Sequence, residues 1–290
     1  MPTKKEKDAT TARDTTGHEW DGIRELDTPL PRWWLYTLYA TIVFAVGYCI
    51  LYPAVPWVSS HTKGMLDRNT NREMLAQSMA EAADAQGQFR DRIRDASLDQ
   101  IRKDPDLLAF AETGGRAAFN ENCTPCHRTG GAGAKGYPNL ADDEWLWGGT
   151  LADIHRTITH GIRNADPESR QSQMPRFGAD GILKPAQISD VADYVLSLSG
   201  QKAPADAVKR GRAIFAENCA LCHGENGKGN PELGAKNLTD GIWLYGGDKA
   251  TIVETVTNAR NGSMPAWNLR LDPTTIKMLA VYVHSLGGGQ

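Results

Sequence analysis

Net charge is what this chain lacks: 35 acidic residues against 32 basic ones leave −3 over 290 residues. Its charges also alternate in sign, as in Asp91-Arg92-Ile93-Arg94-Asp95, so no basic face is concentrated enough to neutralise a phosphate backbone. Nucleic acid is therefore excluded as a partner. Also missing are a phosphate-cradling glycine loop, a nucleophile triad and a paired-carboxylate site, which removes the common hydrolytic and transfer chemistries. The glycine-rich stretch 130–136 follows a cysteine motif and reads as a turn around whatever that motif holds. Uncharged stretches are scarce too, and one stands out, residues 33–58. Cysteine is scarcer still, with five residues in the whole chain.

Four of those five fall in two C-x-x-C-H motifs, Cys123-Thr124-Pro125-Cys126-His127 and Cys219-Ala220-Leu221-Cys222-His223. This is the attachment signature of c-type haem. Two thiols spaced by two residues reach the vinyl groups on one edge of the ring, and the following histidine lies beneath the iron as an axial ligand. A zinc site would want its two cysteine pairs about 15–20 residues apart, far closer than these. A thioredoxin-like pair needs a βαβ context, and two structural disulfides would leave both histidines unexplained. The motifs predict two covalently bound c-type haems.

Each motif sits at the same place in a segment of roughly ninety residues that occurs twice. Gly115-Arg116-Ala117-Ala118-Phe119-Asn120-Glu121-Asn122 answers Gly211-Arg212-Ala213-Ile214-Phe215-Ala216-Glu217-Asn218. Glu144-Trp145-Leu146-Trp147-Gly148-Gly149 answers Ile242-Trp243-Leu244-Tyr245-Gly246-Gly247, and Met174-Pro175 answers Met264-Pro265. The first copy has a longer loop, 163–173, ahead of its methionine. Within each copy a helix with small and aromatic residues (116–122; 212–218) enters the haem motif. Apolar spacing predicts a second helix over Leu151–His160 and Lys249–Asn258, and proline-led last helices run over Pro185–Leu198 and 273–286. This order resembles the class I cytochrome c fold.

The two Met-Pro pairs are the natural sixth ligands. A thioether opposite histidine favours ferrous iron and raises the reduction potential, and the proline stiffens the segment that presents the sulfur. His127, Met174, His223 and Met264 are thus the axial set, with Cys123, Cys126, Cys219 and Cys222 as attachment points. The competing histidines are His155, His160 and His284, of which His155 and His160 align with Val253 and Asn258 and fall outside the shared pattern. The sequence leaves open whether each methionine serves its own copy or the other. Trp145, Trp147, Trp243 and Tyr245 either pack on haem or donate to its propionates, or they are aromatic core.

Residues 33–58 carry no charged side chain, and a helix ending near Tyr52, before Pro53 and Pro56, is about 30 Å long, enough for one bilayer crossing. Trp33, Trp34 and Tyr36 at one end, with Tyr52 and Trp57 at the other, fit aromatic belts. A cleaved signal peptide fits poorly, because the charged region ahead is too long and the segment too aromatic. Cys49 lies inside this span and reads as a packed apolar side chain. Six Lys and Arg precede the span in 1–32 and three follow in 59–78, which places the N-terminus in the cytoplasm. Attachment of c-type haem outside the bacterial cytoplasm puts the rest in the periplasm. Residues 71–102 read as one or two solvated surface helices.

The chain thus reads as all-α: 1–30 a cytoplasmic tail, 31–58 the inner-membrane anchor, 59–108 a helical spacer, 109–201 and 206–290 two tandem class I cytochrome c domains. Thr16-Gly17-His18-Glu19-Trp20-Asp21-Gly22-Ile23-Arg24-Glu25-Leu26, followed by Pro29-Leu30-Pro31-Arg32-Trp33-Trp34, resembles the N-terminal signature of the dihaem subunit III of cbb3-type cytochrome c oxidase, the FixP/CcoP family. The resemblance implies a subunit without an O₂-reducing site of its own. It would take electrons from a soluble periplasmic cytochrome c and pass them, with a monohaem subunit, to a proton-pumping haem–copper subunit. A free-standing dihaem shuttle or a dehydrogenase's cytochrome is the alternative reading. A dihaem peroxidase needs an openable iron, against which the paired Met-Pro motifs argue.

Overall fold

The computed structural model describes residues 5–66 and 71–288. Two compact units make up the chain, Met1–Asp84 and Ala85–Gln290.

In the first unit, strands β1 (Thr15–Trp20) and β2 (Ile23–Leu26) form an antiparallel hairpin in which Trp20 faces Ile23. Asp21 (φ 51°) and Gly22 (φ 84°) are both left-handed, the backbone that a two-residue hairpin turn with the right twist requires. This small sheet was not part of the all-α reading, since strands this short and charged carry no legible alternation. Helix α1 (Arg32–Leu51) starts after Pro31 and stops where Tyr52 turns extended ahead of Pro53. None of its residues is buried, although nearly all are apolar. At 20 residues it is about 30 Å long, and it is the one helix among the described residues long and apolar enough to cross a membrane. Thr37 and Thr41 donate their hydroxyls back to the carbonyls of Trp33 (2.9 Å) and Leu38 (2.8 Å), so neither threonine presents a free donor to the apolar surroundings.

Helix α2 (Asn71–Asp95) runs across the boundary between the units, and its last residues belong to the second. Ser97 then starts α3 (Leu98–Lys103) with a reciprocal capping box: Ser97 Oγ accepts from Gln100 N–H (3.2 Å) and Gln100 Oε1 accepts from Ser97 N–H (2.7 Å). Next come α4 (Pro105–Asn122), α5 (Thr124–His127), α6 (Leu151–His160), α7 (Pro185–Leu198), α8 (Ala205–Asn218), α9 (Ala220–His223), α10 (Lys249–Asn258) and α11 (Pro273–Ser285). Asp104, Thr150, Asp248 and Asp272 cap α4, α6, α10 and α11 through side-chain oxygens.

The stretch 71–102 was expected to be solvated. Its beginning is, but Ile93 and Ile101 are fully buried and Phe89 stacks on Phe110 at 5.0 Å, so its end is part of a core. The charged residues between them hid this, because they occupy the opposite helical face.

The two repeats do not each own a core. One core joins α4 and α6 of the first repeat to α11 of the second, through Phe119, Ile154, Leu279 and Val283 among others. The other joins α8 and α10 of the second repeat to α7 of the first, through Phe215, Ile252, Val191 and Val195. The last helices have changed places. Equivalent glycines make the crossings close: a Cβ on Gly115 would stand 2.3 Å from Met278 O, and one on Gly211 would stand 2.0 Å from Asp190 O. Beside these crossings Phe119 meets Tyr282 (5.4 Å) and Phe215 meets Tyr194 (5.2 Å), matching aromatic pairs that each span both repeats.

Candidate functional site

Each cysteine motif is built in the same way. The helix before it (α4 or α8) ends at asparagine, the first cysteine caps it, and one short turn carries the second cysteine and the histidine. His127 N–H bonds Cys123 O and His223 N–H bonds Cys219 O, both at 2.9 Å. The chain then leaves through a left-handed residue, Arg128 (φ 61°) or Gly224 (φ 76°), which turns it back under the histidine.

That return fixes the imidazoles. His127 Nδ1 lies 3.0 Å from Pro138 O and His223 Nδ1 lies 2.9 Å from Lys236 O. A carbonyl can only accept, so Nδ1 carries the proton and Nε2 keeps its lone pair for a metal. Burial lowers the pKa of both rings, which holds them in the neutral form that coordinates. Burial likewise pushes the Cys123 and Cys219 thiols up to about 11, with the neighbouring cysteine adding to it.

Cys123, Cys126, His127, Met174, Cys219, Cys222, His223 and Met264 all line one continuous cavity. Neither His155, His160 nor His284 lines it. His160 turns Nδ1 to Asp166 (3.1 Å) and Nε2 to Glu168 (3.5 Å). Cys49 belongs to α1. The donor set fits c-type haem: two thiols one helical turn apart, a neutral imidazole with one nitrogen committed, and a soft thioether, amid apolar walls such as Phe119, Ile158, Phe215 and Val256.

The methionines follow the exchanged helices. Met264 packs with the core that contains Cys123, and Met174 with the core that contains Cys219. The Met264 backbone pairs with Ile162 in both directions (2.9 Å each), and its carbonyl accepts from Asn164 Nδ2 (2.7 Å). The Met174 N–H donates to Asn261 Oδ1 (3.1 Å) and its carbonyl accepts from Asn261 Nδ2 (3.3 Å). Each methionine is thus tied to the other repeat by an asparagine. Those asparagines, and the arginines before them, were not singled out from sequence, although the shared Arg-Asn pair after the second helix of each repeat (Arg163-Asn164, Arg260-Asn261) was the available signal.

The aromatic candidates divide. Trp145 donates its indole N–H to Gly288 O, so that donor is already committed. Trp147 is buried with Arg163 (5.7 Å) and Arg170 (5.4 Å) over its ring, and Tyr245 carries Arg260 at 4.9 Å. Glycine again permits the close approach across the repeats. A Cβ on Gly234 would meet Trp147 at 2.2 Å, and one on Gly136 would meet Tyr245 at 3.3 Å. Lys236 Nζ bridges Glu144 (2.9 Å) and Asp240 (3.0 Å) on the same wall.

Three family models match the chain: the N-terminal domain of cytochrome oxidase-cbb3, FixP, over residues 12–59, cytochrome c over 112–199, and cytochrome c oxidase, cbb3-type, subunit III over 206–283. The chain is 60% identical over 278 residues to the cbb3-type cytochrome c oxidase subunit FixP of Azorhizobium caulinodans, covering 95% of this chain and 94% of that one. It is 54% identical over 292 residues to the FixP subunit of a Bradyrhizobium species, over the full length of both. To the CcoP subunit of Cereibacter sphaeroides it is 54% identical over 277 residues, 95% of each chain.

Proposed function

The chain belongs to the FixP/CcoP family, subunit III of cbb3-type cytochrome c oxidase, and from that membership we propose how its residues act as a membrane-anchored dihaem electron-transfer subunit. Its two cytochrome c domains carry two c-type haems. Cys123 and Cys126 attach one, with His127 as axial ligand; Cys219 and Cys222 attach the other, with His223. A histidine and a methionine would hold each haem, which would supply one-electron exchange and leave no place for substrate.

The sixth ligands are crossed: Met264 serves the haem of the first motif and Met174 that of the second. The observation that carries this is the exchange of α7 and α11, which puts each methionine in the core of the other repeat's cysteines. The residues around the cavity keep the imidazoles neutral, present the sulfurs and exclude water. In a chain reduced to one haem by Cys219→Ala with Cys222→Ala, Met264→Leu is expected to abolish the weak red-edge band of the oxidised Met-ligated form, while Met174→Leu leaves it intact. The reverse result would return each methionine to its own repeat.

Helix α1 anchors the chain in the inner membrane, with the hairpin cytoplasmic and both haem domains periplasmic. Electrons pass from a soluble periplasmic cytochrome c through the two haems towards the haem–copper and monohaem subunits. Deleting the chain is expected to stop oxygen uptake driven by reduced cytochrome c in purified membranes while sparing uptake driven by small artificial reductants. Undiminished cytochrome-driven uptake would favour a free-standing shuttle.

A further inference from the structure

The cavity has an unbalanced charge that the ligand set does not explain. Three long cations line it, Arg163, Lys236 and Arg260, against one acid, Glu144. Lys236 pairs with both Glu144 (2.9 Å) and Asp240 (3.0 Å), so the two guanidinium groups are the cations left over. Neither arginine has a carboxylate partner among the described residues. Both are half-buried, and they occupy equivalent places, each over the aromatic residue that abuts the other repeat (Trp147 or Tyr245). Burial lowers the pKa of Arg163, the direction expected of a desolvated cation without an anion. Leaving two like charges at one apolar cavity is costly unless an anion meets them.

We propose that Arg163 and Arg260 form a carboxylate-binding seam between the two repeats that takes the haem propionates and holds both reduction potentials up. This rests on the dihaem reading above, since the propionates are the carboxylates that such a cavity would receive. The positions fit. Arg163 Nε donates to Gly262 O (2.7 Å) and Nη1 to Ser172 O (2.6 Å), carbonyls two residues ahead of Met264 and Met174, so one guanidinium reaches both methionine segments and keeps Nη2 for a further acceptor. Arg260 makes no hydrogen bond or ion pair among the described residues, so its whole donor edge is available. A purely structural role accounts for part of Arg163 and, in Arg260, for the stacking on Tyr245 but not for its N–H donors. A cation beside each propionate opposes ferric iron and favours the reduced state.

The test is spectropotentiometric titration of the full chain in detergent, with covalent haem counted independently by pyridine haemochrome and haem-stained gels. Arg260→Gln is expected to lower the midpoint of one haem, Arg163→Gln to lower at least one, and the double variant to lower both. Lysine at either position should restore most of the shift, because it returns charge without arginine's fork. With two haems per chain, unchanged midpoints in both glutamine variants, or lysine no better than glutamine, would overturn the seam. Fewer than two haems in the unmodified chain would instead overturn the dihaem reading. Should Arg163→Gln fail to fold, Arg260→Gln and Arg260→Lys decide alone.

Discussion

Met264 sits in a segment whose backbone pairs with Ile162 in both directions and accepts from Asn164, whereas Met174 follows the longer loop 163–173 and, among the described residues, its backbone is hydrogen-bonded only to the Asn261 side chain, at 3.1 and 3.3 Å. The cores they enter differ in the same sense. The first has taken in Ile93 and Ile101 from helices that precede the repeats, and Lys277 Nζ caps that addition by donating to Ile93 O (3.2 Å), Arg94 O (2.7 Å) and Ala96 O (2.7 Å). Among the described residues, the second core has no such supplement. Two sites built on the same motif are thus unequally braced by what surrounds them. Bracing is therefore a property of the surroundings and not of the haem motif.

The largest expected effect breaks the comparison at its shared element. Phe119 and Phe215 are both essentially fully buried, and replacing either with alanine is expected to cost about 3–5 kcal/mol. Because each core draws on both repeats, thermal melting followed at the haem and by far-ultraviolet dichroism should show one transition moving down in both variants. Two separate transitions, one of them unshifted, would mean that the cores are independent.

A smaller effect sharpens the asymmetry of the methionines. Asn261→Ala removes both side-chain bonds of Met174, whereas Asn164→Ala leaves the paired backbone of Met264 in place. At about 1 kcal/mol per bond, Asn261→Ala should weaken the red-edge band of one haem by several-fold more than Asn164→Ala does. Equal losses would show that loop length and backbone pairing do not matter here.

The smallest effect lies on the second core's surface. Arg210 grips both oxygens of Asp190 (2.7 Å each), and this hydrogen bonding holds the Asp190 carboxyl below the ordinary carboxylate range. A depressed folded value stabilises above the unfolded pKa of about 4 and is lost as pH falls through the lower folded one. Asp190→Asn should therefore lower stability near neutrality and flatten the acid limb, leaving the strongly acid end unchanged. The first core has its own ion pair, Arg90 with Asp272 at 2.9 Å, so an unchanged acid limb would assign that slope to this and other carboxylates.

Much of this was legible before any coordinates. The anchor, the haem motifs and the later helices of each repeat announce themselves through runs, spacing and proline or glycine at their ends, which are local signals. The helix exchange was not legible, because α7 and α11 resemble each other closely enough in sequence that either would satisfy either core. Which one does is decided by long-range packing, which no local pattern records. For the same reason the sequence named both methionines and left their assignment open. The Arg163 and Arg260 pair was visible in the alignment of the repeats, but nothing local distinguishes a cavity arginine from a surface one. The hairpin at Thr15–Trp20 and Ile23–Leu26 was hidden by its shortness and charge.

Synthesis runs from the N-terminus, and the helix exchange gives that direction a consequence. The core around Cys123 is closed by α11, the last helix of the chain, while the core around Cys219 finds α7 already made when α8 and α10 emerge. The site encoded first is thus completed after the elements that build the site encoded second. A premature stop before Pro273 should therefore damage the distant Cys123 site and spare the nearer Cys219 site, and the haem spectra of such a shortened chain would show which one was lost.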